Sequence, residues 1–311
     1  MPGIPVSTRG NSADAVLVTP SLLRGWPLPA PGEDKYSRGS VLVIGGARAT
    51  PGAAVLAGTA ALRAGAGKLS LAVAESVAVQ VGVALPECGS IALPENADGS
   101  VTAKGLDRIA KYLDRANAVL VGPGLDDSEL AEELLRALLE REESNGGAGG
   151  KGGAAVVLDA YALGGLAKVE ERLDPWRGRL ILTPNPKEAA VLLDRDIEDL
   201  EAAVAEIAKR FDAVVACQGL VAQPPGAEGT GDLWKITTGY GGLGTSGSGD
   251  VLAGAIAGLR ARGTSGAQAA CWGSHLHAAA ADRLASRLGP LGFLARELAD
   301  ELPALMLELG T

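Results

Sequence analysis

Short apolar runs alternate with stretches of helical periodicity along most of this chain, and that alternation restricts the fold more than any other feature. VLVIGG after Ser40 gives way to an Ala-rich helix over Ala53 to Ala64, then KLSLAV, a polar helix over Thr102 to Asp114 and AVLVGPG. A helix over Ser128 to Glu142 follows, then strands at Ala154 to Asp159, RLILTPN and AVVACQG, separated by helices at Lys187 to Leu193 and Ile197 to Arg210. Apolar strands divided by helices build a parallel sheet covered on both faces, because parallel neighbours need crossover connections long enough for a helix. Aromatic residues make up only 3% of the chain against 47% hydrophobic overall, so Ala, Val and Leu fill the core. A hairpin is expected after Pro225, and the segments Val251 to Arg260, Ala267 to Leu288 and Leu294 to Leu309 read as helices. The expected fold class is therefore α/β, three layers with a mostly parallel central sheet.

The Pro- and Gly-bearing residues 1–33 predict an irregular N-terminal arm, and 34–311 one continuous domain with no separate lid. SNGGAGGKGG, about residues 144–153, reads as a glycine-rich insertion, since strand and helix alternation resumes after it unchanged. A net charge of -9 argues against nucleic-acid binding, which depends on Lys and Arg displacing counterions. Cys88, Cys217 and Cys271 are odd in number and without CxxC spacing, which fits a reducing, cytoplasmic compartment and no zinc site. No apolar run is long and uninterrupted enough to predict a membrane span.

The most informative stretch is GLGTSGSGDVLAGAIAGL. Small residues fill 244–249, and Val251, Leu252, Ile256 and Leu259 mark a buried helix face, so a helix is expected to start near Asp250. Unpaired amides and a positive dipole end make such a start an anion site when glycines let a ligand approach. Neither GxxxxGK[ST] nor a strand followed by GxGxxG is present, which excludes two common phosphate loops. A carboxylate beside an anion loop repels the ligand unless it has a task, and accepting a proton from a hydroxyl is one.

With that loop in view, the chain resembles the ribokinase-like superfamily and, within it, the ADP- or ATP-dependent NAD(P)H-hydrate dehydratase family. The resemblance is carried by GSVLVIGGARATPGAAVLAGTAALRAGAGKLSLAV, VGPGL, VLDAYAL, LTPNPKEAAVLL, GTSGSGDVLAGAIAGLRARG and HLHAAAADR, in that order over about residues 39 to 283. It implies that NADH or NADPH hydrated on the nicotinamide ring is phosphorylated on its new hydroxyl by ADP or ATP with Mg2+, and that phosphate is then lost. Phosphate leaves far more readily than water, which is why a kinase fold can serve a dehydratase. By resemblance Asp250 is the base, and Gly247, Ser248 and Gly249 form the anion hole. Gln218, Gly219, Leu220, Val221, Ala222 and Gly249 would meet the nucleotide; Gly52, Ala53, Gly124, Asn185 and Asp250 would meet the hydrate. A homo-oligomer, a tetramer, is also implied.

Four positions depart from the family pattern: Asn185 replaces the usual histidine, Tyr161 an aspartate, Ser246 a glycine, and Gln218 a lysine expected near the nucleotide phosphates. Asp159, after an apolar strand, reads equally as a water-mediated Mg2+ partner or as a helix cap, and Glu188 has a similar double reading. His275 and His277, two apart on a helix, face different ways and suit no shared metal; His277 reads as a packing or hydrogen-bonding residue. A small-alcohol kinase and a noncatalytic nucleotide-binding relative would carry the same loop.

Overall fold

The computed structural model describes residues 15–30, 32–144, 153–226, 231–239 and 242–310. In chain order the elements are β1 (Val16–Val18), α1 (Pro20–Gly25), β2 (Ser40–Ile44), α2 (Pro51–Arg63), β3 (Lys68–Ala74), α3 (Ala78–Ala84), β4 (Gly89–Leu93) and α4 (Leu106–Leu113). Then come β5 (Ala118–Val121), α5 (Ser128–Ser144), β6 (Ala155–Leu158), α6 (Tyr161–Leu166), β7 (Leu180–Leu182), α7 (Pro186–Leu193), α8 (Leu200–Phe211) and β8 (Ala213–Cys217). The chain closes with β9 (Leu220–Ala222), β10 (Leu233–Ile236), α9 (Ser248–Ala261), α10 (Gly266–Leu288) and α11 (Ala295–Glu308). The glycine-rich insertion lies outside the described residues but for its ends.

One ten-stranded sheet runs in the order β1-β10-β9-β8-β7-β6-β5-β2-β3-β4, and only β9 opposes its neighbours among the described residues. Alternate strand residues feed two cores: Val41 and Val43 face α2, α9 and α10, whereas Leu42 and Ile44 face the layer that includes α5 and α8. This is the expected three-layer α/β arrangement with a mostly parallel sheet. Among the described residues, no helix is long and apolar enough to cross a membrane.

The irregular arm requires correction. Within it Val16–Val18 form β1, parallel to β10, and Pro20–Gly25 form α1, capped by the Thr19 hydroxyl accepting Leu22 N–H at 3.2 Å. Trp26 stacks on Trp234 at 6.2 Å between ring centroids, and its carbonyl accepts from Trp272 Nε1 at 2.9 Å and Gln268 Nε2 at 3.0 Å. A three-residue strand has no local signal of its own; its pairing with β10 holds it, and the α10 side chains hold Trp26 after α1.

Two features of the topology set up a site. The chain proceeds outward from β2 to β3 and β4, then returns to place β5 on the other side of β2. This reversal of strand order makes the carboxyl ends of β2 and β5 the candidate binding crevice, and the two loops there are tied together, Gly46 and Ala47 N–H donating to the Pro123 and Gly124 carbonyls at 2.8 Å. Second, α2 and α9 touch backbone to backbone: a Cβ at Gly254 would lie 2.0 Å from the Ala57 carbonyl oxygen, and one at Gly258 2.3 Å from that of Ala61. Both contacts have the same offset in sequence, so the two helices run parallel in register and present their first turns side by side.

Candidate functional site

The crevice is walled by glycines that admit no side chain. Gly124, after β5, has φ +75°, and a Cβ there would sit 2.4 Å from Thr50 O and 3.1 Å from Ala53 Cβ. Its carbonyl accepts from Ala47 N–H and from the Thr50 hydroxyl, both at 2.8 Å, which ties the β5 loop to the start of α2. Gly52, by contrast, is exposed with nothing within 4 Å of a Cβ position, so open space lies over the first turn of α2. Gly52, Ala53 and Gly124, assigned by resemblance to one ligand, are thus neighbours in space.

Beside them is the first turn of α9. The helix begins at Ser248, two residues earlier than expected, with Gly247 as N-cap at φ +87° and no side-chain hydrogen bond capping it. A Cβ at Gly247 would meet Leu56 Cδ1 at 2.5 Å and stand 3.8 Å from Asp250 Oδ2, so the Asp250 carboxylate lies against the glycine that turns the loop. Gly249 is exposed with open space around it. The helix is also buried more fully than a single apolar face implies, since Ala253, Ala255 and Ala257 are buried as well.

Ser248 differs from its expected role. Its side chain is buried and points inward, with Oγ 2.9 Å from His277 Nε2 on α10. Only the backbone of Ser248 can face an anion; the hydroxyl ties the loop to α10. Burial drives the His277 pKa down to about 4, so the ring is neutral at physiological pH. Ser248→Ala should accordingly leave a buried ring nitrogen unpartnered and cost about 1–3 kcal/mol of stability, while changing kcat/KM by less than about threefold. Urea unfolding with parallel kinetics checks this, and a large kinetic loss at unchanged stability would return the hydroxyl to the ligand.

Asp250 occupies the third position of its helix, as Glu188 does in α7, and the two behave differently. Glu188 accepts Asn185 N–H at 2.8 Å while Asn185 Oδ1 accepts the amides of Lys187 and Glu188 at 2.9 and 3.0 Å, a reciprocal capping box. Asp250 makes no such bond among the described residues, and burial raises its pKa to about 6. Asn185 spends its side-chain oxygen on that cap.

Asp159 follows β6 and is buried, with Oδ1 accepting the Thr183 hydroxyl at 2.8 Å. Desolvation, opposed by the Thr183 bond and reinforced by Asp250 and Glu188, raises its pKa to about 7. Burial likewise pushes Glu188 up. The helix-cap reading of Asp159 fails: α6 has no side-chain cap, and its N-cap Ala160 takes the strained φ of +50°. Tyr161 stands about half exposed at the start of α6. Among the described residues no group of three or more His, Cys, Asp or Glu side chains could hold a metal. The surplus negative charge of Asp159, Glu188 and Asp250 suits a divalent cation only if phosphate oxygens supply the other ligands.

The nucleotide-side assignments divide. Gln218 and Gly219, at φ +46° and +81°, form the two-residue turn between β8 and β9, and Gln218 is exposed at the sheet's carboxyl end. Leu220, Val221 and Ala222 are buried residues of β9, hydrogen-bonded between β8 and β10, and Leu220 borders the open space beside Gln218. Two open clefts of about 590 and 490 Å³ meet at Gln218 and share Glu198 and Leu200. Lys187, in the second of them, was not singled out by the sequence reading; its place beside Asn185 in LTPNPKE was the available signal.

Comparison with known proteins identifies the fold and the family. A ribokinase-like superfamily protein from Enterococcus faecalis superposes with a TM-score of 0.76 at 19% identity, covering 95% of this chain and 96% of that one. An ADP/ATP-dependent NAD(P)H-hydrate dehydratase from Bacillus subtilis, co-crystallized with ATP/Mg2+, gives a TM-score of 0.73 at 26% identity over 96% of this chain and 100% of its own. The ADP-dependent (S)-NAD(P)H-hydrate dehydratase of Xanthomonas campestris is 42% identical over 297 residues, 93% of this chain and 95% of that protein. The family profile described as NAD(P)H-hydrate dehydratase matches residues 41–304, so the fold is ribokinase-like and the chain belongs to the NAD(P)H-hydrate dehydratase family.

Proposed function

We propose that this protein dehydrates hydrated NADH and NADPH at the expense of ADP. The observation that carries the reading is the pairing of two parallel first turns at one crevice: α2 with its open Gly52, and α9 with an uncapped start and a half-buried Asp250. The hydrate lies across Gly52, Ala53 and Gly124. Its ring hydroxyl gives its proton to Asp250, and the oxygen takes the terminal phosphoryl group of ADP as AMP leaves, while the backbone amides of 247–249 hold the developing charge. Loss of phosphate together with a proton from the adjacent ring carbon then restores the double bond of the reduced nicotinamide. Gln218 and Gly219 border the nucleotide. Mg2+ arrives with the nucleotide and neutralises phosphate charge near Asp159.

ADP is chosen over ATP on the similarity to the Xanthomonas campestris enzyme. Incubation with hydrated NADH, Mg2+ and either nucleotide is the decisive experiment: regained absorbance of the reduced ring that requires nucleotide, with phosphate released, is the expected result. A phosphorylated alcohol that accumulates instead would indicate a kinase, and nucleotide binding without turnover a noncatalytic relative. A cytoplasmic location and a homo-oligomer belong to the same reading; light scattering tests the second.

The pH profile follows from Asp250. The base must be ionised, so kcat/KM should fall about tenfold per pH unit on the acid side of a limb near pH 6. A profile flat down to pH 4.5 would assign proton removal to another group.

A further inference from the structure

Two clefts meet at Gln218, which the family resemblance places beside the nucleotide, and their lining is unusually acidic for such a ligand. Asp196, Glu198, Asp199 and Glu201 line them against two cations, Lys187 and Lys235. Lys235 is spent, since its ammonium pairs with Glu201 at 2.9 Å. Asp199 is partly spent too, its Oδ1 accepting Ala202 N–H at 3.1 Å to cap α8. Lys187 is exposed and has no ion-pair partner among the described residues, although Asp196 and Glu198 line the same cleft. It sits in the first turn of α7, one residue before Glu188, whose charge is felt by Asp159 and through it links this turn to Asp250. Lys187 thus shares its cleft with Gln218, which offers no charge.

We propose that Lys187 is the cation that binds the nucleotide's phosphates at this cleft, serving from the start of α7 the function that the uncharged Gln218 turn cannot. The proposal rests on the nucleotide-dependent reading above. A diphosphate entering here meets carboxylates on one wall, so one positive charge decides whether entry is favourable. Ribose hydroxyls, which carry no charge, can donate to Glu198, which borders both clefts.

Calorimetric titration of the whole protein with ADP and with adenosine tests the proposal, using Lys187→Met and Lys187→Arg at two salt concentrations. The methionine variant should bind ADP about tenfold more weakly, with a shallower salt dependence, because one charge-assisted contact is lost. Adenosine affinity should be unchanged, and arginine should restore most of the ADP affinity. ADP affinity equal to wild type in Lys187→Met overturns the proposal. So does an equal loss of ADP and adenosine, which would mark a structural role. If the wild-type protein binds neither ligand, the nucleotide reading itself falls, a result distinct from the first two.

Discussion

Asp250→Asn is expected to abolish most turnover and at the same time to make the protein more stable at neutral pH. The kinetic part follows from geometry. Asn is nearly isosteric, keeps the backbone of the α9 first turn, and lacks only the proton acceptor, so kcat should drop about 10²- to 10⁴-fold with nucleotide affinity largely retained. The stability part follows from burial, which raises the Asp250 pKa to about 6, well above the usual carboxylate range. A carboxyl whose folded pKa is raised binds its proton more tightly in the folded state, so stability is full below pH 4 and declines as pH rises through about 6. At pH 8 the ionised, desolvated group costs up to about 3 kcal/mol, and Asn removes that cost. Urea unfolding at pH 4 and pH 8, paired with steady-state kinetics, reads both effects. A variant within threefold of wild-type kcat, or one less stable at pH 8, would mean that Asp250 is a structural helix-start residue and not a base held in readiness.

Gly254→Val should damage the fold and the site together. Ala is preferred over Gly inside a helix by about 1 kcal/mol, so propensity alone would predict stabilisation for any small side chain here. The contact decides otherwise: a Cβ would lie 2.0 Å from the backbone oxygen of Ala57, and a carbonyl in α2 cannot yield as a flexible side chain can. The helices must separate, and overpacking of this kind costs about 3 kcal/mol. Because α2 and α9 carry Gly52, Ala53 and Asp250 in their adjoining first turns, separation also opens the crevice, and kcat/KM should fall about tenfold or more even in conditions where the variant is folded. The urea midpoint and single-turnover rates measure the two consequences. Unchanged stability in Gly254→Ala, the mildest version, would show that the helices do not touch as described.

Sequence periodicity was sufficient for the interior strands and the long helices, because burial on both faces writes continuous apolar runs such as VLVI at β2 and AVVAC at β8. The anion loop was legible for a related reason: small residues in 244–249 have little packing value, and only a turn that approaches a ligand or another backbone accounts for them. What tertiary structure alone decided depends on partners distant in the chain. β1 exists because β10 receives it, more than 200 residues away in sequence, and Trp272 on α10 holds Trp26 beyond α1. Leu220 to Ala222 are buried because two positive-φ residues fold β9 back between β8 and β10. The Ser248 hydroxyl turned inward because His277 waits on α10. Lys187 gained its candidate role because the packing of α7 beside the β8–β9 turn brings it to the same cleft as Gln218. Local patterns specify which segments are strands and which turns can approach a ligand. The direction of a side chain, and the charge it meets, are set by contacts between segments that only the assembled sheet and helices bring together.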